Sequence, residues 1–171
     1  MADRPCNVLF LCTGNSARSI LAEALLGKLG APRFRAFSAG SKPVGRVNPF
    51  AERELRAMGV DPAPFRSKSW NEFAARDAPA LDIVITVCDN AAGEVCPVWP
   101  GQPVTAHWGF PDPAAIEGDE AAKHRAFAQV AHQLRARIQL LLSLPIDKLD
   151  RPALQAQVRA MGGRASAGAP G

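Results

Sequence analysis

Apolar and polar positions along the chain alternate between two spacings, one of strands and one of helices. Residues 7–11 form a short, uninterrupted β-favouring run, and residues 16–29 read as a helix closed by Gly30 and Pro32. Residues 34–38 read as a second strand, followed by the loop Ala39-Gly40-Ser41-Lys42-Pro43. A helix is expected over 48–58, with Pro49 near its start and Gly59 near its end. After an irregular stretch at 61–69 and a short helix at 71–76, residues 81–88 form a continuous β-branched run. Such a run suits a strand buried on both faces. Residues 103–107 are a fourth strand. Residues 120–144 contain the longest helix, with Phe127, Val130, Ala131, Leu134, Ile138 and Leu141 on one stripe. A last short helix is expected over 150–161.

Strands alternating with helices predict an α/β fold, a single four-stranded parallel sheet with helices on both faces. We expect one domain over residues 1–161 and a flexible, small-residue tail over 162–171. The 171 residues are enough for one substantial core. The net charge of +4 comes from dispersed basic residues, without a Lys/Arg block, which argues against nucleic acid and suits a small anionic substrate. No apolar run approaches the roughly 18 residues of a membrane helix, and no signal peptide opens the sequence. A cytoplasmic chain without a membrane partner is therefore expected. Its four cysteines, Cys6, Cys12, Cys88 and Cys96, then point to catalysis, redox chemistry or metal rather than to a disulfide scaffold.

The first strand runs into Cys12, Thr13, Gly14, Asn15, Ser16, Ala17, Arg18 and Ser19, a loop at a strand-to-helix junction. There, successive backbone N–H groups and the positive end of a helix can cradle a tetrahedral oxyanion. Gly14 is expected to supply a positive φ and close backbone approach. Arg18, six positions after Cys12, offers a planar fork to two oxygens. A thiol facing these donors is expected to be largely thiolate near neutral pH, making Cys12 a nucleophile. The rival readings are a core cysteine and a Walker-type loop. The latter lacks the Lys-Ser or Lys-Thr that its chemistry needs.

Ligands of parallel sheets bind beyond the C-terminal strand edges, where both Cys12 and Cys88 are expected to end strands. A covalent adduct on Cys12 can be resolved by a neighbouring thiol, which makes Cys88 the candidate resolving residue. Cys96 can then attack Cys88. If 88–96 were one helix, the two Cα atoms would stand about 12 Å apart, whereas a disulfide needs them within roughly 7 Å. The segment must therefore loop or unwind, with Gly93 a plausible hinge. The eight-residue spacing of Cys88 and Cys96 does not match zinc sites, so no metal is expected. His107, at a strand end, is a further candidate for the site. Asp112, in the stiff loop Phe110-Pro-Asp-Pro-Ala114, can protonate an oxygen leaving the oxyanion.

Cys12-Thr-Gly-Asn-Ser-Ala-Arg-Ser19 resembles the signature loop of the low-molecular-weight tyrosine phosphatases, and Asp112-Pro113 resembles their general-acid loop. Ser38-Ala-Gly-Ser41, Pro43-x-Gly45-x-Val47-x-Pro49, Ser67-Lys-Ser-Trp70, Val87-Cys-Asp89, Cys96-Pro97 and His107-Trp-Gly-Phe110 resemble the arsenate reductases built on that fold. The resemblance implies that Cys12 attacks arsenate held by the loop amides and Arg18, with Asp112 assisting loss of water. Cys88 then releases arsenite, and Cys96 displaces Cys12. It further implies that Asn15 shapes the loop and that Ser19 hydrogen-bonds the Cys12 sulfur. Phosphate or sulfate would compete.

No tightly bound cofactor is implied, only an external thiol reductant: thioredoxin, or glutathione with glutaredoxin. Some relatives bind potassium beside the loop, at positions matching Asn15, Glu23 and Ser38; Asn71 stands here where an aspartate is usual. Two other readings stay open. A low-molecular-weight protein tyrosine phosphatase would need Cys12, Arg18 and Asp112 but not Cys88 or Cys96, although Ala114 and Ala115 replace the aromatic residues usual there. A non-catalytic oxyanion-binding or redox-sensing module would bind or oxidise without turnover.

Overall fold

A computed structural model of the chain describes residues 5–88 and 99–168, the last six of them by their backbone. The strands are β1 (Cys6–Cys12), β2 (Phe34–Gly40), β3 (Ile83–Thr86) and β4 (Val104–His107). They form one sheet in the order β2-β1-β3-β4, and all three pairings are parallel. The helices are α1 (Arg18–Gly30), α2 (Pro49–Ala57), the single-turn α3 (Asn71–Ala74), α4 (Glu120–Leu142) and α5 (Arg151–Gly168). The expected α/β architecture is thus present.

The period-two alternation of β1 divides the core. Val8, Phe10 and Cys12 face the larger cluster, built with α1, α2, α4 and α5, while Leu9 and Leu11 face a smaller one. The smaller face is covered by Phe73 of α3 and by Trp99, with Trp70 and Trp99 meeting edge to face at 6.4 Å. Every member of the long-helix stripe is buried. So is Arg137, the one charged residue on that face of α4.

Most element boundaries shift by a residue or two from those expected, and β3 and the last helix show why. Strand β3 is ladder-paired only over Ile83–Thr86, although the Val87 amide still donates to the Leu11 carbonyl at 2.8 Å. The last helix continues past residue 161 through Gly168, although its extension includes the poor helix formers Gly162 and Gly163. Gly162 is a packing glycine: a Cβ there would stand 2.3 Å from the His107 carbonyl oxygen.

From β1 the chain steps to β2 on one side, and β3 and β4 lie on the other. The crevice of a doubly wound sheet opens where strand order reverses, here between the C-terminal ends of β1 and β3. The residues that leave those ends are Cys12 and Cys88.

Candidate active site

The loop after β1 is shaped from outside. The carbonyls of Thr13, Gly14 and Ser16 accept the amides of Lys42 (3.0 Å), Val44 (3.1 Å) and Asn48 (2.9 Å). The Ser67 hydroxyl also donates to Gly14 O at 3.0 Å. In planar trans peptides an outward carbonyl turns the following N–H to the other side, so these contacts direct the amides of Gly14, Asn15 and Ala17 inward. Helix α1 begins at once and without a side-chain cap, which leaves its first N–H groups facing the same space. Asn48, whose amide holds Ser16, also caps α2 by accepting from the Phe50 amide at 2.8 Å.

The left-handed residue of the loop is Asn15, with φ of 47°, and not Gly14 as expected. Asparagine tolerates this region because its amide can bond locally. Fully buried, Asn15 donates to Ser19 Oγ (2.8 Å) and Ser38 Oγ (3.0 Å) and accepts from the Lys68 amide (2.9 Å). The Ser19 hydroxyl is thus engaged with Asn15, and among the described residues no hydrogen bond joins it to the Cys12 sulfur. At Gly14 a Cβ would make only ordinary contact, 3.4 Å from Val44 Cγ1. The glycine that the loop cannot replace is Gly40, where a Cβ would lie 2.4 Å from Thr13 O and 2.7 Å from Cys12 O.

Cys12 and Cys88 are both buried. They come together as the sheet topology requires: the amide and hydroxyl of Thr13, the residue after Cys12, stand 3.3 and 3.8 Å from Cys88 Sγ. This neighbour changes the thiol chemistry. The hydrogen bond with Cys88, and then burial, push the Cys12 thiol well above its ordinary range, against the pull of Arg18 and the Thr13 backbone. The expected acidification by Arg18 and the loop backbone is thus opposed by the neighbouring thiol and by burial. Cys96, and with it the expected last exchange, lies outside the described residues.

Arg18 donates through Nη1 to the Phe110 carbonyl at 2.9 Å, and its Nη2 stands 3.8 Å from Asp112 Oδ2. Asp112 also accepts from the Ala114 amide at 2.9 Å, which fixes the carboxyl at the head of a short 3-10 turn. The stiff Asp-Pro loop therefore does reach the oxyanion loop, through Arg18. His107 ends β4 with its Nδ1 2.7 Å from Thr86 Oγ1.

Beneath the loop, Ser38 donates to Glu23 Oε1 at 2.5 Å, and the largely buried Lys68 ammonium stands 4.0 Å from the same oxygen. Burial pushes the Glu23 carboxyl up and the Lys68 ammonium down, each partly offset by the other. A potassium ion does not fit these donors. Asn15 Oδ1 is taken by the Lys68 amide and Glu23 Oε1 by Ser38, and the Lys68 ammonium stands beside that same carboxylate. Lys68 had no role in the sequence reading. Its charge beside Glu23 appears only once residues 45 apart are folded together.

A buried thiol on an amide-lined loop, with a guanidinium and a carboxyl at its mouth, defines a cysteine-nucleophile enzyme of oxyanion chemistry on a parallel α/β sheet. Residues 7–157 match the family described as low molecular weight phosphotyrosine protein phosphatase. The chain belongs to that family, and within it stands with the arsenate reductases. It is 37% identical over 131 residues to a curated arsenate reductase of Halalkalibacterium halodurans, covering 77% of this chain and 91% of that one. Among solved structures it is similar to an arsenate reductase in the phosphate binding state (TM-score 0.63, 27% identity, 81% of this chain and 97% of that one). It is also similar to a thioredoxin-dependent arsenate reductase of Corynebacterium glutamicum (TM-score 0.57, 28% identity, 82% of this chain and 65% of that one).

Proposed function

We propose that the chain reduces arsenate to arsenite, with Cys12 as nucleophile and Cys88 as resolving thiol. Arsenate enters the loop amides and the Arg18 fork. Cys12 passes its thiol proton to the bound oxyanion as its Sγ displaces one arsenate oxygen, which leaves as water with a proton from Asp112, and a Cys12–arsenic bond forms at arsenic(V). Cys88 Sγ then attacks Cys12 Sγ. The sulfur–arsenic bond breaks with its electron pair remaining on arsenic, so arsenite departs as arsenic(III) and two thiols become one disulfide. Cys96 exchanges with Cys12 to give Cys88–Cys96, which an external dithiol reduces. A thioredoxin or a glutathione–glutaredoxin couple supplies that reductant. The setting is the cytoplasm, where such couples keep thiols reduced.

The observation that carries this reading is the second thiol at the loop, Cys88 Sγ, 3.3 Å from the amide of the residue that follows Cys12. A phosphatase needs the first of these thiols and has no use for the second. No potassium is required, because Lys68 supplies the cation beside Glu23. Activity should therefore be the same in sodium and potassium buffers.

The test is arsenite production by the purified protein, coupled to NADPH oxidation through either reductant system, with Cys88→Ser and an aryl phosphate substrate in parallel. Arsenite turnover that stops in Cys88→Ser is expected. Steady aryl phosphate hydrolysis surviving that change, with no arsenite from either system, would assign the chain to the phosphatases. Oxyanion binding without turnover of either kind would leave a binding module.

A further inference from the structure

Arg137 is 9% exposed on the buried side of α4. Its guanidinium stands over the Phe110 ring, 4.3 Å from the centroid, and 5.9 Å from the Trp108 centroid. Its Nη1 is buried without a hydrogen-bond partner, and among the described residues no carboxylate pairs with it. A buried cation without a counter-ion is among the costliest groups a fold can hold. With no acid to draw it aside, the aromatic face is its partner.

Phe110 is the joint of the site. Its carbonyl accepts from Arg18 Nη1 at 2.9 Å, and its amide donates to the Val87 carbonyl at 3.2 Å, one residue before Cys88. Asp112 follows two residues later. Whatever fixes the Phe110 ring therefore fixes the peptide from which Arg18 is aimed.

We propose that Arg137 is a positioning residue for oxyanion binding: stacked on Phe110, it holds the carbonyl that orients Arg18. The proposal rests on the reading of the Cys12 loop as an oxyanion site. Arg137 touches neither the substrate nor the reacting sulfurs in this scheme. It acts entirely through Phe110.

The test is calorimetric titration of the reduced full chain with inorganic phosphate, with thermal unfolding recorded for each variant. Arg137→Met should weaken phosphate binding by about five- to tenfold, and Arg137→Lys should restore it to within about threefold of the wild type. In a Phe110→Leu background the same Arg137→Met change should cost less than about twofold, because its route is gone. Unchanged phosphate affinity in Arg137→Met, whatever happens to its melting temperature, would overturn the proposal. An undiminished effect in the Phe110→Leu background would do the same. Should Arg137→Met fail to fold, Phe110→Leu alone decides, with a loss of about five- to tenfold expected and no loss overturning the idea. A wild-type protein that does not bind phosphate would overturn this proposal together with the proposed function. Wild-type binding with unaltered variants would overturn this proposal alone.

Discussion

Cys88 and burial push the Cys12 thiol up, while Arg18 and the Thr13 backbone pull it down. That balance is open to titration. Replacing Cys88 by Ala removes the largest cause of the upward shift, so the pH midpoint for alkylation of Cys12 by iodoacetamide should fall by about one unit or more. An unmoved midpoint would show that burial alone sets the thiol. Gly40→Ala tests the loop at the same scale. Its Cβ would strike the Thr13 and Cys12 carbonyls, and we expect a loss of about 1–3 kcal/mol in urea unfolding together with weakened phosphate binding. The gathering of Cys12, Arg18, Cys88 and Asp112 at one sheet edge was legible in the sequence because each stands at a strand end, a helix start or a stiff loop. The upward push on the Cys12 thiol was not legible, since it depends on what its neighbour presents. The positive φ fell to Asn15, whose buried side chain has three hydrogen-bond partners, a fact that no local propensity contains.

At the scale of elements, the oxyanion loop is a short segment clamped by three others: the 42–48 turn, the 67–69 stretch and β2. The Lys68–Glu23 couple belongs to this clamp. Glu23 is held above its ordinary range by burial, so its ionisation in the fold opposes stability as pH rises above the unfolded value, and Lys68 offsets that cost. Lys68→Met removes the offset. The variant should lose about 2 kcal/mol at pH 7.5 and clearly less near pH 5, where Glu23 can keep its proton. Equal losses at both pH values in denaturant titrations would show that Lys68 acts by packing alone. The helices and strands themselves were readable from period and punctuation. The clamp was not, because its contacts join residues distant in sequence through backbone groups that every sequence shares.

For the whole molecule, the order β2-β1-β3-β4 converts two cysteines 76 residues apart into neighbours. This juxtaposition was predictable, since a parallel sheet gathers the C-terminal ends of its strands at one edge. The inequality of the two sheet faces was not, because the buried runs of β1 and β3 look alike from either side. Ligand binding at the switch point should be felt by the entire fold. Phosphate at about a hundred times its dissociation constant should stabilise the reduced protein by about 2.7 kcal/mol and raise its melting temperature by several degrees. Scanning calorimetry with and without phosphate would measure this.

The thinly covered face has an optical consequence. The chain has three tryptophans and no tyrosine, so its ultraviolet emission comes from indoles alone. Two of them, Trp70 and Trp99, meet on that face, and Trp99 follows Cys96 by three residues. The third, Trp108, is fully buried, with its Nε1 donating to the Val158 carbonyl at 2.9 Å. Under the proposed thiol exchange at Cys88, the emission of the Trp70–Trp99 pair is expected to change and that of Trp108 to stay constant, an intrinsic, label-free signal that a stopped-flow fluorimeter would read.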